Sequence, residues 1–309
     1  MMYDLIIVGG GPAGASAAVY AARKRLKTLL VTEEWGGQST VSTDIQNWIG
    51  TTSISGAELA KALRAHVEHY KGDVLEIISP ARATSVDAQE TSVRLTLSNA
   101  TTHEARAVFV ATGARRRKLT IPGAAEYDQK GLTYCASCDG LLYADKDVAV
   151  VGGGNAAFET ALQLLAYCKS VTLLNRSDDF RADEITVAAA KTHSSMNILM
   201  SAEPTQVLGE RFVSGLKWKN VKTGTESTLA VEGIFVEIGL IPNTDWLGET
   251  LDMTPTKQIK TDPRTGRTSH PRIWAAGDVT DSFYHQNNIA AGDAVRALED
   301  VYAILKKQK

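Results

Sequence analysis

Leu5-Ile6-Ile7-Val8-Gly9-Gly10-Gly11-Pro12-Ala13-Gly14 is the stretch on which the fold turns. Its apolar, largely β-branched start has the pattern of a buried parallel strand, and the glycines follow at once. Ala13 to Arg23 is rich in alanine and reads as a helix, and Lys27 to Val31 supplies a second apolar strand. Strand, glycine loop, helix and strand together make a βαβ unit. A pyrophosphate must approach the backbone amides at the start of such a helix, where Cβ atoms would obstruct it and the helix dipole favours negative charge. Gly9, Gly11, Pro12, Ala13 and Gly14 are therefore candidate dinucleotide-binding residues, and Glu33 or Glu34 lies where an acid accepts hydrogen bonds from a ribose.

A second unit begins at Asp147-Val148-Ala149-Val150-Val151, passes through Gly152-Gly153-Gly154-Asn155-Ala156-Ala157, and continues as an alanine-rich helix to about Tyr167. Val171 to Leu174 is its second strand, ending in Asn175-Arg176-Ser177 with no acid at the tip and with Arg181 nearby. An acid at that tip repels a 2′-phosphate, whereas arginine pairs with it. The first loop thus suits FAD. The second, through Gly152, Gly154, Asn155, Ala157, Arg176 and Arg181, suits NADPH. The competing reading makes Arg176 and Arg181 ordinary surface, partly neutralised by Asp178 and Asp179.

Arg272 to Asp278 reads as a further strand ending in Gly277-Asp278, with an alanine-rich helix from about Asn288 to Leu305. A carboxylate at a strand end can bind ribityl hydroxyls, and the next helix would aim its positive end at a reduced flavin; the alternative is a turn before a terminal helix. Val108 to Gly113 and Ile234 to Gly239 are apolar strands ending at glycine, and they bracket the second βαβ unit like paired crossovers. The expected class is α/β, with two Rossmann-like three-layer nucleotide-binding domains, the second inserted in the first. Residues 1–113 plus 243–309 would form the FAD-binding domain, and 114–242 an NAD(P)H-binding-like domain. Ala81 to Arg106 alternates like a small antiparallel meander, and Arg115-Arg116-Arg117-Lys118 reads as a solvated basic linker.

At 309 residues the chain is long enough for more than one core. Its apolar fraction of 44%, charged fraction of 22% and net charge of −2 offer no electrostatic footprint for nucleic acid or an anionic membrane. No apolar run is long enough to span a bilayer, and the N-terminus enters a strand without a basic leader, so a cytoplasmic location is expected. Only Cys135, Cys138 and Cys168 are present, which excludes a secreted framework of several disulfides. Cys168, on an apolar helical stretch, reads as core.

Thr133-Tyr134-Cys135-Ala136-Ser137-Cys138-Asp139-Gly140 carries the sharpest chemical signal, because two intervening residues permit a disulfide that closes and reopens locally. It lies between the two nucleotide units, as a reductase requires. Zinc would need a full tetrahedral ligand set, and there is no second close cysteine pair; His66 and His69, at i and i+3, are the remaining candidates or else sit on a solvated face. Asp139 is placed either to shuttle a proton to a leaving thiolate or to end a turn before Gly140.

Gly9 to Gly14, Gly36-Gly37-Gln38, Gln46-Asn47-Trp48, Ala111-Thr112-Gly113, Cys135 to Gly140, Gly152 to Ala157 and Gly277-Asp278 together closely resemble the low-molecular-weight thioredoxin reductases. The resemblance covers nearly the whole chain. It implies a homodimer with tightly bound FAD, and electrons passing from NADPH to flavin, to the disulfide and then to a thioredoxin-like protein. It places Gly37, Gln38, Asn47, Thr112, Gly113, Gly277, Asp278, Gln286 and Asn287 around the flavin, Cys138 against its ring and Cys135 as the thiol that attacks the partner. Asp139 becomes the general acid and base. Because one flavin must serve both donor and disulfide, the resemblance also implies rotation of the inserted domain about Gly113 to Arg117 and Gly239 to Asn243.

The chain departs from the family pattern at Asn175-Arg176-Ser177, where NADPH users typically carry His-Arg-Arg, and at Tyr284-His285-Gln286, where Tyr-Arg-Gln is usual. Losing one charge-assisted phosphate contact costs about 1.5 to 3 kcal/mol. Two alternatives stay open: a disulfide reductase fed by ferredoxin or a second flavin, and a non-catalytic FAD-binding redox sensor.

Overall fold

The computed structural model describes residues 2–42, 45, 47–134 and 136–307, without the side chains of Val41, Ser137 and Cys138. Strand β1 (Met2–Gly10) runs into α1 (Pro12–Arg23), β2 (Thr28–Trp35), α2 (Gly56–Glu68) and β3 (Leu75–Ile78). Three further strands follow: β4 (Ala83–Ala88), β5 (Val93–Leu97) and β6 (Thr102–Val110). Their order in the sheet is β3-β2-β1-β6-β5-β4. β1 lies parallel to β2, with Ile7 opposite Leu30, and parallel to β6, with Ile6 opposite Val108. The meander expected over 81–106 is the antiparallel set β4, β5 and the first part of β6.

Period-two alternation sends the residues of β1 to opposite faces. Leu5 and Ile7 pack with Phe109 against the alanine-rich α1, while Ile6 and Val8 pack with Val108 and Val110 on the other side. Phe109 is fully buried, a burial worth about 1.5 to 3 kcal/mol. Gly9 has φ +123, and a Cβ there would run into the Ala111 carbonyl, so glycine is required for β1 to turn into α1.

The chain then passes through β7 (Ala114–Arg116) into β8 (Leu132–Thr133), the short helix α3 (Ala136–Asp139), β9 (Asp147–Val151), α4 (Asn155–Leu165), β10 (Ser170–Asn175), α5 (Glu184–Lys191) and β11 (Met196–Met200). β12 (Ala202–Gly209), β13 (Val213–Asn220) and β14 (Glu226–Leu229) form an antiparallel sheet before β15 (Gly233–Val236). The parallel sheet has the order β11-β10-β9-β15-β8. Phe158, Ala161 and Leu164 of α4 cover Val148 and Val150 on one face, while Val207, Val213 and Leu216 cover Ala149 and Val151 on the other. α4 ends at Leu165, short of the expected Tyr167, and Cys168 sits buried in the turn beyond it. Burial pushes the Cys168 thiol up to about 11, which removes it from thiolate chemistry near neutrality.

β16 (Leu240–Pro242) pairs with β7, and β17 (Ile273–Ala275) joins the first sheet beside β6, with Ile273 opposite Val108. α6 (Asn287–Lys307) packs its alanines against α1. The chain divides into one unit of Met1–Arg115 with Ile241–Lys309 and a second of Arg116–Leu240. The basic run is solvated as expected, with Arg115, Arg117 and Lys118 exposed, and three of its four members also carry ion pairs. Arg115 meets Asp245 at 3.2 Å, Arg116 meets the buried Glu237 at 3.0 Å, and Lys118 meets Asp128 at 2.6 Å. Among the described residues no helix is long and apolar enough to cross a membrane.

Candidate functional site

In the first unit the C-terminal ends of β1, β2 and β6 open onto a cavity of about 830 Å³. It is lined by Gly9, Gly11, Pro12 and Ala13 from the first loop, by Glu33, Glu34, Gly37 and Gln38 beyond β2, by Thr112 and Gly113 beyond β6, and by Gly277, Asp278 and Asn287. Gly11 caps α1 with extended backbone, Pro12 occupies the first turn, and no side chain caps the helix. The first-turn amides are therefore left for a ligand, and a Cβ at Gly11 would find only Gly36 O and Gly37 Cα, at 3.9 and 4.0 Å. This is a cradle that a dinucleotide pyrophosphate fits. α2 is the contrast, because Ser55 and Glu58 close it with a reciprocal capping box.

Gly14 does not line the cavity; its Cα faces the Gly9 carbonyl and lets α1 start close to the strand. Asn47 and Gln286 also stand outside the lining, joined to each other by a 3.0 Å bond from Asn47 Nδ2 to Gln286 Oε1. Ser39 donates to Asn287 Oδ1 at 2.8 Å, which ties the start of α6 to the turn after β2. Burial pushes the Asp278 carboxyl above its ordinary range, partly offset by the nearby charge of His285. His285 Nε2 is itself buried and finds no partner among the described residues.

Ala81 to Thr84 and Asn243, Asp245 and Trp246 also line this cavity, and sequence reasoning assigned them no chemistry. Asn243 is locked to the crossover glycine strand: its Nδ2 donates to the Thr112 carbonyl at 2.9 Å, and the Thr112 hydroxyl donates to the Asn243 carbonyl at 2.9 Å. For Asn243 the sequence signal was its place at the end of the second expected linker, Gly239 to Asn243.

In the second unit Gly154 caps α4 with extended backbone and, again, no side-chain cap. Asn155 is engaged with Asp183, accepting from its N–H at 2.7 Å and donating to its carboxylate at 3.0 Å. Ala157 is buried beneath the loop, and Gly152 packs against the Glu237 carbonyl. A Cβ at Gly153 would overlap Asn175 Oδ1, so glycine there makes room for the inward-turned Asn175. The Arg181 N–H donates to the Gly153 carbonyl at 2.8 Å, which fixes its backbone beside the loop. Among the described residues the ion pairs differ from the neutralisation by Asp178 and Asp179 that the competing reading offered. Arg176 faces Glu203 at 3.6 Å, and Asp178 takes Lys222 at 2.7 Å and the Ser201 hydroxyl; Ser201 and Glu203 follow the end of β11, and Lys222 lies in the turn between β13 and β14.

Cys135 lies outside the described residues, as does the Cys138 side chain, so their separation is not part of this geometry. Asp139 closes α3, and its carboxylate accepts from the buried Thr133 hydroxyl at the edge of the parallel sheet. Burial raises the neighbouring Tyr143 phenol, with the Asp139 charge adding to it. A four-residue helix has little stability alone, so the contact of Asp139 with Thr133 helps to hold α3 at the sheet.

Over residues 3–296 the chain matches the model of the pyridine nucleotide-disulphide oxidoreductases. It is 40% identical over 295 residues to an alkyl hydroperoxide reductase subunit of Staphylococcus aureus, covering 96% of this chain and 57% of that one. The chain thus spans little more than half of that relative's length. Thioredoxin reductase of Lactococcus lactis superposes with a TM-score of 0.84 at 33% identity, with 99% of each chain covered. Thioredoxin reductase of T. acidophilum gives 0.81 at 32% identity, with 98% of each covered. Paired βαβ units, uncapped glycine loops and a match along almost the full length agree: the chain belongs to the pyridine nucleotide-disulphide oxidoreductase family.

Proposed function

We propose that this chain is a thioredoxin reductase-like flavoprotein, passing electrons from NADPH through FAD to Cys135 and Cys138 and on to a thioredoxin-type protein disulfide. The observation that carries the reading is the pair of uncapped helices α1 and α4, each opened by a glycine loop and each at the C-terminal end of the parallel strands of its own sheet. The first unit holds FAD through the residues lining its cavity, with Asp278 and the orphaned His285 nitrogen at the strand end. The inserted unit holds the nucleotide through Gly152, Gly154 and Arg181. FAD, when bound, supplies the step that converts a hydride donor into a two-electron source for a disulfide.

The chain's own part is to bind, orient and move protons. Cys135 attacks the partner's disulfide and Cys138 resolves it, while Asp139, oriented by Thr133, gives and takes the proton at the leaving sulfur. Gly113 to Arg117 and Gly239 to Asn243 act as the hinge that lets donor and disulfide use one flavin in turn. The chain acts as a homodimer in the cytoplasm, a reducing compartment in keeping with its sparse cysteines.

Steady-state NADPH consumption driven by oxidised thioredoxin tests this. Turnover by the FAD-loaded chain is expected, with loss of it in both Cys135→Ser and Cys138→Ser. A Cys138→Ser variant running at the wild-type rate would overturn the assignment.

A further inference from the structure

In a βαβ nucleotide unit the tip of the second strand faces the adenosine ribose, and the residues there decide between a free hydroxyl and a 2′-phosphate. Here the tip is Asn175, and it is turned inward: it is 5% exposed and its amide donates to the Ser177 and Asp179 carbonyls at 3.0 and 3.1 Å. Selection therefore falls to the side chains around it. Arg176 lies exposed, with its guanidinium 3.6 Å from the Glu203 carboxylate. Glu203 reaches this place because β11 runs parallel to β10 with Met200 opposite Asn175, and the chain turns at Ser201 straight into β12. The Lys222 ammonium is taken by Asp178 at 2.7 Å. Among the described residues Arg181 alone of these cations has no ion-pair partner.

We infer that Glu203 sets how strongly the chain distinguishes NADPH from NADH, by holding Arg176 and by placing a negative charge beside the position of a 2′-phosphate. The inference rests on reading the second loop as the nucleotide site. A 2′-phosphate must draw Arg176 off Glu203 or share it, and in either case it meets the carboxylate's repulsion. A dinucleotide with a free 2′-hydroxyl carries no charge there, so its affinity is insensitive to Glu203.

The test is equilibrium titration of the FAD-loaded full chain with NADP⁺ and, separately, NAD⁺ at low ionic strength, for wild type, Glu203→Gln, Arg176→Gln and the double variant. Neutralising Glu203 is expected to tighten NADP⁺ binding about three- to tenfold while moving NAD⁺ by less than about twofold, in line with exposed charge pairs. The gain should shrink in the Arg176→Gln background and fade as salt is added. An unchanged NADP⁺ affinity in Glu203→Gln, or equal tightening of both nucleotides, overturns the role of Glu203 and leaves the nucleotide site standing. A wild-type chain that binds neither nucleotide overturns the site itself and the Glu203 role with it.

Discussion

Glu237 shows what a single buried carboxylate does to this protein. It accepts from the Thr160 hydroxyl and from Arg116, each at 3.0 Å, yet burial outweighs both and holds its proton affinity above the ordinary value of 4.5. A carboxyl that binds its proton more readily folded than unfolded makes folding take up a proton just above that value. Its stabilising contribution is therefore fully present below about 4.5 and falls as pH rises through the folded value. Unfolding midpoints measured from acid to neutral pH should show this slope, and Glu237→Gln should flatten it. Gly153→Ala is expected to displace Asn175 and cost about 1 to 3 kcal/mol in denaturant melts, since its Cβ has no room. The glycines themselves were legible from their spacing. Asn175 was legible only as a missing acid: nothing in the sequence said that its amide would clamp the turn to Asp179 and leave Arg176 to Glu203.

Among the elements, the contrast between α1 and α2 separates binding from stability. α2 is closed by Ser55 and Glu58, so Ser55→Ala should cost about 1 kcal/mol of stability in a urea melt. α1 is open at Gly11, where the backbone is extended and a side chain would point into the cavity. Gly11→Ser is expected to leave the apoprotein's unfolding midpoint within about 1 kcal/mol of wild type, because serine is a good cap. FAD affinity measured by fluorescence should nonetheless fall at least about tenfold, because the new side chain occupies the pyrophosphate's place. The βαβ units were readable because apolar runs, glycines and alanine-rich helices alternate without ambiguity. The pairing of Arg116 with Glu237 was not, because residues 121 positions apart meet only once the second sheet is built.

For the whole molecule, the α/β class with paired Rossmann-like units followed from the repeated strand-loop-helix-strand pattern, and the family follows from that pattern together with the match over residues 3–296. Part of the first cavity's lining was hidden, since Ala81 to Thr84, Asp245 and Trp246 carry no motif and reach the site only through the fold. The proposed electron path draws on residues of both units, and one experiment tests it end to end: anaerobic titration of the FAD-loaded chain with NADPH, following flavin absorbance and free thiols together. The expected result is uptake of about two NADPH per chain, one electron pair opening the disulfide to thiols at Cys135 and Cys138 and the second bleaching the flavin. A flavin that stays oxidised under NADPH while dithionite or reduced ferredoxin bleaches it, or one that bleaches without releasing those thiols, would contradict it.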